Sequence, residues 1–309
     1  MVSWEEMTLS KEKSKNALRM TGGDRVFVGS IYFILCVLGI IFLAPMLNVI
    51  ASSFSSPSAV NMGKVTVFPI DFTLRGYSMV LANKKLVIGY SNTIFYTVFG
   101  TVINIVLTIL AAYPLSRKDF EARGIMMKIY TFTMYFSGGI IPTYLLYKNM
   151  GLIDTRTVML ISGALSIYNL IVMRTFFQTN IPEEIIEATK IDGCSDFRFL
   201  VQFVVPLSKA IVAVMVLFYA IGHWNTYFDA YLYLSDEKKY PLSLFFQMLL
   251  GGLVTKGQTV DNEALSESQQ YKEVIQYALI MVTCVPVWCC CPFLQKYFVQ
   301  GIMIGSVKG

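Results

Sequence analysis

Apolar runs recur along the chain at lengths that ordinary soluble helices seldom reach. They extend from about Val26 to Ile50, Thr93 to Leu115, Ile129 to Tyr147, Thr157 to Phe177, Leu207 to Leu234 and Glu273 to Tyr297. Each approaches or exceeds the roughly 20 residues that carry a helix across a hydrocarbon core. The pattern predicts an all-α membrane protein of six transmembrane helices. The first run is too long for a signal-peptide core and lacks a convincing small-residue cleavage site, so it reads as an uncleaved span. Gly138-Gly139 and Pro142 predict a kink in the third run, and Pro286 and Pro292 a bend in the sixth. Polar connections cover 51–88 and 235–271. The expected organisation is an N-terminal segment 1–25, a membrane domain 26–300 and a tail 301–309.

The stretch IPEEIIEATKIDGCSDFRFLVQFVVP, residues 181–206, is a hydrophilic interruption with structure of its own. Asn180 is placed to cap a helix whose first turn holds Pro182, Glu183 and Glu184, where the helix dipole favours acids. Glu183 and Glu187 stand four apart and form an acidic stripe. Ala188 and Thr189 are small enough for a partner to come close. Asp192 and Gly193 end the helix, Ser195 or Asp196 starts a second, and Pro206 closes it. The expectation is a helix–turn–helix beside the membrane, shaped to dock on another protein through Glu183, Glu187, Ala188, Thr189, Asp192, Gly193 and Pro206.

Composition agrees with the spans. Apolar residues make up 55% of the 309 and charged residues 15%, against about 25% charged in soluble domains. The net charge of +5 has no basic block behind it, which gives no reason to expect nucleic acid as a partner. Of the six cysteines, all but Cys194 fall in apolar runs and read as buried small hydrophobes, with no disulfide framework. Six spans put both termini on one side. The larger share of the 25 lysines and arginines lies on that side, which predicts cytoplasmic termini and a cytoplasmic 181–206 loop.

No catalytic set, metal-ligand cluster or phosphate-cradling glycine loop is visible, and the chain has one histidine, His223. The chain therefore reads as no enzyme, binding no cofactor of its own; a nucleotide-driven process would need ATP and magnesium in another subunit. Ionisable groups are nearly absent from the spans, which weighs against an ion-coupled carrier. Polar faces do occur: Ser162, Ser166 and Asn169 in the fourth run, and Gly222, Asn225, Thr226 and Asp229 in the fifth, flanked by Trp224, Tyr227 and Phe228. Tyr135 lies in the third. Hydroxyls, amides and aromatic faces are what a sugar pathway needs. They are equally what interhelical hydrogen bonding uses.

Glu187-Ala188-Thr189, Gly193 and Pro206 resemble the EAA loop of ABC importer permeases, with Thr in place of the third-position Ala. A chance match at four such positions arises about once in 10⁵ starts. HWNTYFDAYLYL (223–234), Pro241-Leu242 and LQKYFVQGIMIGSVKG (294–309) look like carbohydrate-uptake members of that binding-protein-dependent (MetI-like) family, most like the second permease of maltose-type importers. The resemblance implies a heterodimer with a homologous permease, two ATPase subunits, an extracellular binding protein and a sugar or oligosaccharide as cargo. It implies that 235–271 meets the binding protein and that the 301–309 tail enters the cleft between the ATPases in an extended form. A permease for a peptide or amino acid, or a secondary carrier, would share much of the pattern.

Overall fold

The computed structural model of the chain describes residues 22–250 and 271–306, with side chains placed through 248 and from 271 to 289. The N-terminal segment to residue 21, the stretch 251–270 and residues 307–309 lie outside the described residues. All regular structure among the described residues is helical.

Helix α1 (Gly22–Ser53) is exposed along nearly all of its apolar length. It is followed by the short α2 (Pro57–Asn61) and α3 (Arg75–Ala82). Helix α4 (Lys84–Ser116) starts at Asn83, whose side chain accepts the Lys85 amide, and its 33 residues reach about 50 Å. The expected third span is two helices, α5 (Arg123–Tyr135) and α6 (Ile140–Asn149). The break falls at Gly138-Gly139 rather than at Pro142, which sits in the first turn of α6, where a missing N–H costs nothing. The expected fourth span is also divided, into α7 (Arg156–Ile161) and α8 (Ile167–Asn180), started by Thr155 and Ser166 caps.

Helices α9 (Glu183–Ile191) and α10 (Asp196–Leu207) follow, then α11 (Lys209–Asn225), set at 84° to α10. Pro206 explains the corner. Having no N–H, it leaves the Gln202 carbonyl without its usual partner, and residues 200–204 widen into a π turn in which Val205 donates to Leu200. Pro206 thus closes the second helix as expected, one turn before the next begins. The short α12 (Phe228–Tyr233) separates from α11 at Thr226. Three helices, Gly22–Ser53, Lys84–Ser116 and Lys272–Cys289, are each long and apolar enough to cross a membrane.

Helix α4 is the centre of the packing: α7, α8, α11 and α13 (Leu242–Leu250) all lie against it. The α13 position departs from the polar loop expected over 235–271. Tyr240, Leu242, Leu244 and Phe245 are buried against the start of α4. The run PLSLFFQMLL is too apolar to be left in water, and burial of its side chains offsets the ordering of the chain. Backbone groups of this return segment are met by α4 side chains. Asn92 Nδ2 donates to the Lys238 and Tyr240 carbonyls at 2.8 and 3.1 Å. Tyr96 donates to the Lys239 carbonyl, and Thr93 Oγ1 accepts the Leu242 amide.

Helix α14 (Lys272–Ser306) continues past Tyr297 to Ser306, where an extended tail was expected. Once a helix is propagating, glycines such as Gly301 and Gly305 cost about 1 kcal/mol each and do not stop it. Cys36 and Cys289 lie on the exposed surface of their helices rather than buried, and no disulfide forms among the described cysteines.

Asn92→Ala would strip two buried carbonyls of their donor and Arg156 of an acceptor. The expected cost is about 1–3 kcal/mol. It should appear as a lower melting temperature of purified protein, and an unchanged melting temperature would contradict this account of how the 235–242 segment is held.

Candidate functional site

Two regions gather the residues singled out in the sequence. The first is the α9–α10 unit. Its turn is as expected: Gly193 has φ +70°, a conformation L residues seldom adopt, and Cys194 donates to Thr189 O behind it. Ser195 caps α10 by accepting the Arg198 amide. The start of α9 differs. Asn180 remains the last residue of α8 and turns its amide back onto Phe176 O and Thr179 Oγ1, so α9 begins at Pro182 with no side-chain cap.

Glu183, Glu187, Ala188 and Asp192 are exposed, but Thr189 is buried and donates to the Ile185 and Ile186 carbonyls. The small residue at that position therefore serves packing against the chain itself. The outward surface carries two large apolar side chains that the sequence reading passed over, Ile191 (86% exposed) and Phe197 (69%). Their signal was weak, since the loop holds other apolar residues such as Ile185, Ile186 and Phe199 that pack inward.

This unit is fastened to the end of α4. Lys118 pairs with Glu183, and Lys190 Nζ reaches Asp119 Oδ2 at 2.7 Å. Arg117 also pairs with Asp119, at 3.3 Å. On the α8 side, Arg174 Nε donates to Leu115 O and Gln178 Nε2 to Ser116 O. Ser116, Arg117, Lys118, Asp119, Gln178, Glu183 and Lys190 border a cleft of about 440 Å³ between α4 and α9. The Lys190 ammonium first, and Arg117 next, pull the Asp119 carboxyl down from 3.8 to about 2. A depressed carboxyl contributes stability that is present above its unfolded value near 4 and lost as pH falls through about 2.

The second region is a pocket of about 300 Å³ between α4, α7, α8, α11 and α12. Ser162, Ser166, Asn169 and Asp229 line it, together with Gly222 and Thr226. Ser162 Oγ donates to Asp229 Oδ2 at 2.9 Å. Ser166 Oγ caps α8 by accepting the Asn169 amide. The structure adds residues that the sequence reading did not select: Asn104, Tyr219 and His223.

Asn104 Nδ2 donates to the Gly163 and Ala164 carbonyls at the α7–α8 break. Its Oδ1 therefore accepts from His223 Nε2, 2.8 Å away, which fixes the protonated nitrogen of that ring. Thr108 donates to Asn104 O, Tyr219 donates to Thr108, and the Ser166 amide donates to Tyr219. Gly100 allows this arrangement, since a Cβ there would collide with the His223 ring. The usable signal was the stripe Thr97, Gly100, Thr101, Asn104, Thr108 at helical spacing on α4.

Trp224, Asn225, Phe228 and Tyr135 lie elsewhere. Trp224 donates to Thr283 O on α14 and meets Tyr90 edge-on. Asn225 turns back to Ile221 O, and Phe228 is exposed. Tyr135 stands 74% exposed at the end of α5. Among the described residues no three His, Cys, Asp or Glu side chains are grouped to share a metal ion.

Because Asp119 stays ionised far below neutrality, its pairing with Lys190 should hold equally at about pH 5 and about pH 8. Exposed pairs contribute about 0.2–1 kcal/mol, so Asp119→Asn should loosen α9 rather than unfold the protein. Amide exchange over 183–191 should quicken about two- to five-fold, and Lys190→Ala should add little to it. Unchanged exchange in Asp119→Asn would show that the pair does not hold the unit.

No family model matches the chain. Individual proteins do. It is 38% identical over 287 residues to the polygalacturonan/rhamnogalacturonan transport system permease protein YtcP of Bacillus subtilis, covering 93% of this chain and 99% of that one. It is 36% identical over 297 residues to LplC of the same organism, covering 95% and 99%. A chain in the crystal structure of a bacterial ABC transporter involved in import of the acidic polysaccharide alginate superposes with a TM-score of 0.84 at 33% identity, over 91% of this chain and all of that one. With these similarities running nearly end to end, the chain belongs to the carbohydrate-uptake permeases of the ABC importer family.

Proposed function

We propose that the chain is the membrane subunit through which an ATP-driven importer passes a sugar or oligosaccharide received from an extracellular binding protein. In this reading the spans number six. Helix α1, α4 and α14 each cross alone, and α5–α6, α7–α8 and α11–α12 cross as interrupted pairs. Both termini and the α9–α10 unit face the cytoplasm. Breaks in a span are tolerated where protein or a water-filled cavity meets the freed backbone groups. The α7–α8 break has Asn104 for this, while the α5–α6 break at 136–139 is flanked by exposed apolar side chains. That supports a protein neighbour over α5–α6, assigned here to a homologous second permease.

The observation that carries the mechanism is the exposed ridge of α9–α10, ion-paired to the end of α4. Glu183, Glu187, Ala188, Asp192, Ile191 and Phe197 form a surface for an ATPase groove. Two ATPase subunits would bind the ATP and magnesium, and this chain would bind no cofactor. When the ATPases close, α9 moves and takes with it α8 and the end of α4. The helices framing the 300 Å³ pocket then rock as a body, opening it alternately to each side. Tyr135, Trp224, Asn225 and Phe228 belong to helix contacts or exposed surface in this reading, and the pathway group narrows to Ser162, Ser166, Asn169 and Asp229.

Glu187→Lys tests the docking. The side chain is exposed and no ion pair holds it among the described residues, so reversal should leave folding intact and disturb the partner contact. The expected result in proteoliposomes is at least a tenfold fall in sugar uptake per ATP hydrolysed, with the complex still assembled. Full coupling in that variant would refute the docking surface.

A further inference from the structure

The polar atoms around the 300 Å³ pocket divide into those already bonded and those still unspent. Asn104, Tyr219 and Ser162 have used their donors on the protein itself. The unspent groups are Asp229 Oδ1, the hydroxyl proton of Ser166 (whose oxygen already accepts the Asn169 backbone amide), the Thr226 hydroxyl, His223 Nδ1 and the side-chain amide of Asn169, for which the described residues offer no partner. Asn169 is 6% exposed and His223 is 8%. These polar atoms face the pocket and remain open to water or a ligand. Met159 and Phe218 supply an apolar wall.

The charge of this set is one-sided. Asp229 is an acid, and among the described residues no lysine or arginine lines the pocket. Asp229 Oδ2 is occupied by Ser162, which aligns the carboxylate and leaves Oδ1 to accept. Ligand hydroxyls can donate to Asp229 Oδ1 and His223 Nδ1 while accepting from Ser166 and the Asn169 amide. An ammonium could only donate, leaving the latter two unmet. A carboxylate-bearing sugar unit would bring a like charge beside Asp229.

We infer that this pocket is a subsite for a neutral, hydroxyl-rich saccharide unit, with Asp229 as the residue that rejects uronates. The inference rests on the sugar-permease reading and narrows it. The cargo it assigns is of a different charge class from the polygalacturonan and alginate named for two similar proteins.

The test is direct binding to the assembled importer in nanodiscs, without the binding protein, whose own selectivity would otherwise mask the pocket. Radiolabelled galactotriose is compared with trigalacturonate, and mannotriose with trimannuronate, each pair differing in the C6 carboxylate. The neutral member of at least one pair should bind tenfold or more tightly than its acid. Asp229→Asn should shrink that preference at least tenfold. Asp229→Glu and Ser162→Ala, which keep the charge, should retain it, so that a defect of folding in one variant does not decide the matter. Uronates binding as well as neutral sugars, an unchanged ratio in Asp229→Asn, or no binding by any of the four would overturn the inference. Uptake of saccharide by the complete importer would in those cases leave the permease reading standing, and its absence would remove both.

Discussion

Where a helix breaks inside an apolar bundle, its freed carbonyl and amide groups must find partners within the protein, because hydrocarbon provides none. Helix α4 answers this constraint along its whole length. Asn92, Thr93 and Tyr96 satisfy the return segment 238–242 near its start. Asn104 satisfies the α7–α8 break at its middle. At its end the roles reverse, and the carbonyls of Leu115 and Ser116 receive Arg174 and Gln178 from α8. The α7–α8 break and the return segment are held because one uninterrupted helix carries polar side chains at the right heights.

That arrangement divides the molecule by stiffness. The contacts around Asn92 and Asn104 are buried, directional and mutually dependent. Such networks hold one geometry, since each lost bond strands another polar group. The contacts between α4 and α9 are of a different kind. Lys118–Glu183 and Lys190–Asp119 are more than half exposed, as are their partners, and such pairs contribute little and reform readily. A pocket held by buried hydrogen bonds is therefore joined to the α9–α10 unit by exposed ion pairs just beyond the last turn of one long helix.

Much of the α9–α10 unit was legible because its signals are local. Gly193 needs its positive φ, Ser195 caps three residues ahead, and Pro206 cannot donate. Asn180 misled for a physical reason: an asparagine amide serves the end of one helix as well as the start of the next, and sequence spacing does not choose. The buried return segment 240–248 was hidden because an apolar run too short to span reads as a loop when flanked by lysines and polar residues. The helical end of α14 was hidden because glycine content suggests an ending that continuing backbone hydrogen bonds override. Helical periodicity did not foresee that residues 162–166 would lie in the break between α7 and α8, or that Asn225 would turn back onto Ile221 O. It could not say that Trp224 would turn toward Thr283 while Asp229 turned toward Ser162, since that depends on which helix lies opposite.

Hydrogen-bond saturation separates roles that residue type leaves mixed. Asn92, Asn104 and Asn169 are all buried asparagines within apolar helices, and a sequence treats them alike. Asn92 and Asn104 have both ends of their amides engaged by the protein. Asn169 has neither end of its side-chain amide engaged among the described residues, and it shares its pocket with Asp229 Oδ1, the Ser166 hydroxyl proton and the Thr226 hydroxyl. An amide open at both ends toward a pocket is suited to a partner that comes and goes, as water or a solute does.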